Sequence, residues 1–164
     1  LSGSGKSTIA NLIEQKLYSL GKHTMLLDGD NIRHGLNKDL GFTNVDRIEN
    51  IRRIANVSKL MLEAGLITIV SFIAPFKSER DLAKDLMGED LLEIFIDVPI
   101  EVAEQRDPKG LYNKARSGLL KNFTGIDSVY EKPENPDIHI KTAEISAEDA
   151  SDAIIEVLYK KQII

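Results

Sequence analysis

Leu1-Ser2-Gly3-Ser4-Gly5-Lys6-Ser7-Thr8 is the stretch that decides how this chain is read. It runs directly into Ile9, Leu12, Ile13, Leu17 and Leu20, which recur near the i, i+3, i+4 spacing of an amphipathic helix. Gly3 and Gly5 let the backbone turn its N–H groups inward, and the helix behind them presents its positive end to an anion. Lys6 supplies a point charge for the β- and γ-phosphates of a nucleotide, and the Ser7 hydroxyl can ligate Mg²⁺. With Ser2, Ser4 and Thr8 these residues form the body of a phosphate-binding loop, G-x-x-x-x-G-K-[ST]. The full pattern asks for one more glycine immediately before Leu1 and for an apolar strand ahead of it. A Gly/Ser linker would give similar letters, but would not lead straight into helical periodicity and then into a strand closed by acids.

Working outward, short apolar runs alternate with helical ones. Residues 23–27, 66–73 and 92–98 read as strands, the last two closed by Pro75 and Pro99, and a weaker strand follows Pro136 over 137–140. Runs this short and apolar suit strands covered on both faces. Helices are expected over 7–20, with Gly21 as the stop, over 46–64, stopped by Gly65, and over 147–159, behind a capping Ser146. The expected fold is α/β: a three-layer sandwich of the P-loop NTPase type with a central, mostly parallel sheet, in one domain over 1–164. The polar, basic, Gly/Pro-punctuated stretch from about 104 to 136 reads as a mobile lid.

Composition narrows the partners. A net charge of −5 gives no global basic field, so nucleic acid is not expected and any anion must be captured by local clusters. The chain has no cysteine, which removes thiol catalysis and fits a reducing, cytoplasmic setting. No apolar run approaches the ~18 residues of a membrane span.

Asp28-Gly29-Asp30 closes the first expected strand, at the carboxyl edge where open α/β sheets bind ligands. One carboxylate can hold Mg²⁺ through water and the other can accept a proton from a substrate hydroxyl; turn formation or helix capping is the plainer reading of the same letters. In Arg47-Ile48-Glu49-Asn50-Ile51-Arg52-Arg53, helical spacing puts Arg47 and Asn50 on one side, with Arg52 and Arg53 pointing elsewhere.

Longer strings are more specific. Leu27 to Asn37 (Leu-Asp-Gly-Asp-Asn-Ile-Arg-His-Gly-Leu-Asn), Leu40-Gly41-Phe42 and Asp46 to Arg53 resemble the adenylylsulfate (APS) kinase family. So do Arg106-Asp107-Pro108-Lys109-Gly110-Leu111-Tyr112, Lys114-Ala115-Arg116, Asn122 to Asp127, Tyr130-Glu131 and Pro133-Glu134. The resemblance runs from Leu1 to about residue 140 and implies a P-loop kinase that phosphorylates the 3′-hydroxyl of adenosine 5′-phosphosulfate with Mg-ATP. It places APS contacts on Asp30, Asn31, Ile32, Arg33, Phe42, Arg47, Asn50, Lys109, Asn122 and Phe123. ATP falls to Ser2–Thr8 and Arg106, Mg²⁺ to Ser7 and Asp28, and the chemistry to Lys6, Asp28 and Asp30. The two aspartates are interchangeable at this level.

The side-chain types agree. Arg33, Arg47 and Lys109 can neutralise a phosphosulfate. Phe42 and Phe123, from a chain with five Phe and four Tyr, can sandwich an adenine. His34 lies in a family-like block but has no obvious proton to move. Many family members carry a serine, proposed as a phosphorylated intermediate, where this chain has Ala74 in Ile73-Ala74-Pro75-Phe76-Lys77. Alanine has no nucleophile, so direct in-line transfer is expected. The resemblance also implies a homodimer and fusion or association with an ATP sulfurylase. The alternatives are another small-molecule P-loop kinase, or a nucleotide-binding module without turnover.

Overall fold

The computed structural model describes residues 1–164. Helix α1 (Lys6–Ser19) follows the glycine loop directly and ends before Gly21, which turns with φ near 72°. Strand β1 (Thr24–Asp28) leads into the short helix α2 (Gly29–His34). Helix α3 (Asn44–Glu63) opens on a capping box in which Thr43 and Asp46 satisfy each other's exposed N–H groups. Strand β2 (Ile67–Ser71) and helix α4 (Lys77–Met87) come next, then strand β3 (Ile94–Asp97) and the short helices α5 (Ile100–Arg106) and α6 (Leu111–Arg116). Strand β4 (Ile138–Lys141) and helix α7 (Ala147–Lys160) close the chain, and Ser146 caps α7 by accepting from the Asp149 N–H at 3.1 Å.

Every strand pairing is parallel. β1 pairs with β2 in the register Thr24 opposite Ile67 to Asp28 opposite Ser71, and β3 pairs with β4 from Ile94 opposite Ile138. Parallel neighbours need a crossover, which α2 and α3 supply for the first pair and α5, α6 and the lid segment for the second. The two pairs are not hydrogen-bonded to each other, so the parallel layer is made of two half-sheets. A cavity of about 200 Å³ is lined jointly by Val70 of β2, Ile94 to Ile96 of β3, Ile51 and Ile54 of α3, and Leu1.

The main core joins α1 and α7 to one face of the strands through Ile9, Ile13, Leu17, Ile138, Ile140, Ile154 and Leu158. On the other face α3 packs on α4 and β2. A smaller cluster of Val98, Ala103 and Tyr112 supports the lid segment. No helix is long and apolar enough to cross a membrane. The periodic elements lie where the sequence reading puts them. Helices α2 and α4 and the two short helices at the lid's start are additions: in Lys77–Met87 the apolar residues Leu82, Ala83, Leu86 and Met87 are confined to the second half, and α2 and α6 are only six residues long.

Candidate active site

The carboxyl ends of β1 and β2, the glycine loop and the lid segment enclose a cavity of about 860 Å³. Six basic side chains (Lys6, Arg33, Arg47, Arg106, Lys109 and Lys121) line it against two carboxylates, Asp28 and Asp30. In an acidic protein such a cluster focuses positive potential into one cleft and marks a site for polyanions.

The phosphate loop is fixed by its backbone. Gly3 has φ near +70°, and a Cβ there would lie 2.9 Å from the Ala103 carbonyl oxygen, so only glycine fits. Gly5, with φ near +94°, is the left-handed cap from which α1 starts. Two hydroxyls tie the loop down: Tyr112 donates to the Ser2 carbonyl at 2.9 Å, and Thr142 donates to the Ser4 carbonyl at 2.9 Å. Tyr112 is fully buried, and burial pushes its phenol up to about 12, so it stays a donor. The free N–H groups at the amino end of α1 open on the cavity beside Lys6, Ser7 and Thr8. Lys6 Nζ donates to the Leu1 carbonyl at 2.5 Å and to Ser4 Oγ at 3.3 Å. Burial pushes its ammonium down to about 8, against the pull of Asp28 and Asp30.

Asp28 caps α2 by accepting from the Asp30 N–H at 3.0 Å, and its other oxygen accepts from Ser7 Oγ at 2.7 Å. Two hard oxygen donors therefore stand together at the mouth of the loop. No group of three or more His, Cys, Asp or Glu is placed to hold a metal unaided, so a divalent ion here would bring other ligands, such as nucleotide phosphates. Asp30 is exposed and pairs with Lys109 of the lid segment.

Around the second half of the cavity, Arg33 donates to the Gly41 carbonyl at 2.9 Å, and its guanidinium lies 4.4 Å from the centre of the Phe42 ring. Arg47 is 8% exposed; its Nε donates to the Phe42 carbonyl at 3.2 Å and its Nη2 to the Asn122 carbonyl at 2.5 Å, joining α3 to the lid segment. Burial lowers the pKa of Arg47 and Arg33 beneath its ordinary guanidinium value without discharging either. Phe42 is 48% exposed although it lines the cavity, whereas Phe123 packs edge-on against Tyr112 with ring centres 5.0 Å apart.

The adenylylsulphate kinase family model matches residues 1–141. The chain belongs to this family. An adenylyl-sulfate kinase of Clostridium acetobutylicum is 57% identical, covering the whole chain and 82% of that relative. The bifunctional enzyme NodQ of a Rhizobium strain is 59% identical over 99% of the chain, which spans only about a quarter (25%) of NodQ. Among solved structures, the Mycobacterium tuberculosis APS kinase CysC in complex with AMPPNP and APS superposes with a TM-score of 0.93 at 44% identity, covering 97% of this chain and 93% of that one.

Most residues singled out from the family-like strings meet in the one cavity: Ser2, Gly3, Gly5, Lys6, Ser7, Thr8, Asp28, Asp30, Arg33, Phe42, Arg47, Asn50, Arg106, Lys109, Asn122 and Phe123. Asn31 and Ile32, on α2, are not among its lining residues, and Ser4 is fully buried beneath the loop. Arg106 is directed at Thr142, donating to its carbonyl at 2.6 Å and its hydroxyl at 3.2 Å. Sequence reasoning gave no role to Thr142, to Tyr112 or Asn37, which it held only within family-like strings, or to Ser71, Phe72 and Ile73, which it held only as part of a strand; for Thr142 its place just past the last strand was the one available signal. His34, which that reasoning left without a role, lies on the cavity wall.

Proposed function

We propose that this adenylylsulfate kinase-family chain transfers the γ-phosphoryl group of ATP to the 3′-hydroxyl of adenosine 5′-phosphosulfate, giving 3′-phosphoadenosine 5′-phosphosulfate and ADP. The observation that carries the reading is the one cavity in which a phosphate loop, a carboxylate pair and an Arg- and Phe-lined second compartment meet. In this reading Lys6 and the amino end of α1 hold the ATP phosphates, and Arg106 flanks the nucleotide. Ser7 and Asp28 would hold Mg²⁺, which compensates phosphate charge when bound. Arg33, Arg47 and Lys109 take the phosphosulfate, Phe42 and Phe123 flank the second adenine, and Asn31 and Ile32 meet the substrate only through a shift of α2.

Asp30 accepts the hydrogen bond of the 3′-hydroxyl and receives its proton as the oxygen bonds to the γ-phosphorus and the bond to the β,γ-bridging oxygen breaks. Lys109, which neutralises Asp30 in this structure, moves onto the substrate's anion and so frees the carboxylate. Ala74 offers no nucleophile, which leaves direct transfer. The lid segment closes to keep water from the γ-phosphate. The same reading takes the protein as a cytoplasmic homodimer, fused to or associated with an ATP sulfurylase.

Coupled measurement of ADP release by the full-length protein with ATP and Mg²⁺, with and without APS, tests the reading. APS-dependent turnover is expected. Binding of APS without turnover would leave a nucleotide-binding module, and turnover only on another alcohol would overturn the substrate.

A further inference from the structure

The chain buries its polar residue and exposes its apolar one at Leu36-Asn37: Leu36 is 50% exposed and Asn37 is 0% exposed. Asn37 Nδ2 donates to Asn50 Oδ1 at 2.9 Å, while Asn37 Oδ1 is buried with no partner. A buried amide whose carbonyl has no partner is a costly way to fill a core, since that carbonyl loses its hydration without return. The loop around it is firmly held. The Asn37 N–H donates to the Ile32 carbonyl at 3.0 Å, its carbonyl accepts from Leu40 at 3.1 Å, and Arg53 grips Asp39 with two bonds of 2.8 Å. The backbone around Asn37 is therefore held in place, which keeps its side chain against Asn50, and its donor is aimed at one atom of the residue that lines the cavity.

We infer that Asn37 is a positioning residue that fixes the amide of Asn50 with its oxygen turned away, so that the cavity meets Asn50 Nδ2 and the site reads a hydrogen-bond acceptor on APS. An unrestrained asparagine presents either end of its amide and loses that discrimination. The inference rests on the reading of Asn50 as an APS contact.

The test is Asn37→Asp, which keeps the shape. When ionised the introduced carboxyl only accepts, so Asn50 must reverse its amide and present oxygen to the cavity; when protonated it donates as the native amide does. Burial raises its pKa. The charged or titratable groups on the flanking elements are Asp30, Arg33 and His34 on α2, Arg47, Glu49, Arg52 and Arg53 on α3, and Lys38 and Asp39 in the loop. The KM for APS, relative to wild type, should climb about tenfold from pH 5.5 to 8, the worth of one good hydrogen bond, with the KM for ATP tracking wild type. Asn37→Leu should raise the KM for APS without that pH dependence. A flat ratio for Asn37→Asp, or an equal rise in the KM for ATP, would overturn the inference. Asn50→Ala separates the two claims: if it leaves the KM for APS unchanged, the reading of Asn50 fails, and if it raises it while Asn37→Asp does not, the positioning role fails.

Discussion

The two halves of the cavity are built by opposite means. The phosphate half is a backbone structure: two positive-φ glycines, two carbonyls pinned by the Tyr112 and Thr142 hydroxyls, and a helix start, with Ser4 fully buried beneath it. The acceptor half is a side-chain structure assembled across long stretches of sequence. Arg47 reaches Asn122 and Lys109 reaches Asp30, contacts that tie α3 and α2 to the lid segment. The backbone of the first half is ready before ligand arrives, and Lys6 alone among its loop residues has to leave a carbonyl, that of Leu1, to reach a phosphate. In the second the charged donors already have partners within the protein, so substrate must take over bonds that now hold the lid segment in place. Preorganisation on one side and exchange of partners on the other fits a site that holds its phosphate donor rigidly and closes over its acceptor.

The sharpest break between the halves is expected from Lys6→Met. It should lower kcat by about 10³-fold, because in the proposed reaction Lys6 carries the charge that offsets the transferring phosphoryl group. The melting temperature should hold or rise, because desolvation of the partly buried ammonium depresses its pKa to about 8. A matching loss of stability would show that Lys6 is structural and that the phosphate half is less preorganised than argued.

Arg47→Lys probes the other half. A lysine cannot reach both the Phe42 and Asn122 carbonyls, which Arg47 bonds through different nitrogens. The KM for APS should rise roughly 10- to 100-fold, the range for one or two lost buried bonds, while the KM for ATP stays put. Equal changes in both constants, measured by varying each substrate in turn, would erase the distinction between the halves.

That contrast also explains what could be read from sequence. The phosphate half was legible because its geometry is local: Gly3, Gly5, Lys6 and Ser7 lie within one turn of chain, and α1 announces itself in the spacing of Ile9, Ile13 and Leu17. The strands were legible as apolar runs, but their grouping into two half-sheets is a matter of pairing, which no run of letters contains. In the acceptor half, helical spacing correctly put Arg47 and Asn50 on one side and turned Arg52 and Arg53 outward to Glu49 and Asp39. Everything beyond α3 came from family-like strings. Residues that act through other residues, such as Thr142, Tyr112 and Asn37, bond groups far away in the chain or an ordinary-looking amide, so that even where a family-like string held them, as with Tyr112 and Asn37, nothing in the letters assigned them a role.

Thr142 gives a smaller test that stays within the phosphate half. Its hydroxyl donates to the Ser4 carbonyl and accepts from Arg106, so Thr142→Val strands the carbonyl of the fully buried Ser4, while Arg106 keeps its bond to the Thr142 carbonyl. The KM for ATP should rise about tenfold at little change in the KM for APS, and Thr142→Ser should restore it. Failure of serine to rescue would assign the effect to packing.

The smallest effect is expected at the back of the acceptor half. Glu79 is buried, and its Oε2 accepts from the Phe76 N–H at 3.2 Å, while its Oε1 has no partner. Burial raises its pKa above the ordinary 4.5, opposed by that N–H and by Arg47 and Arg80. Below the ordinary value both the folded and unfolded chains hold the proton. As pH climbs from there through the higher folded value, the unfolded chain releases its proton first and stability falls. Glu79→Gln keeps an oxygen for the Phe76 N–H and does not titrate. Its stability relative to wild type, from urea unfolding at a series of pH values, should therefore improve as pH rises above 4.5. A difference that stays level would mean that the carboxylate is compensated in the fold, by Arg47 or Arg80. In the case of Arg47, the same guanidinium would then serve both the buried acid and the lid segment, and the acceptor half would be more rigid than its exchangeable contacts suggest.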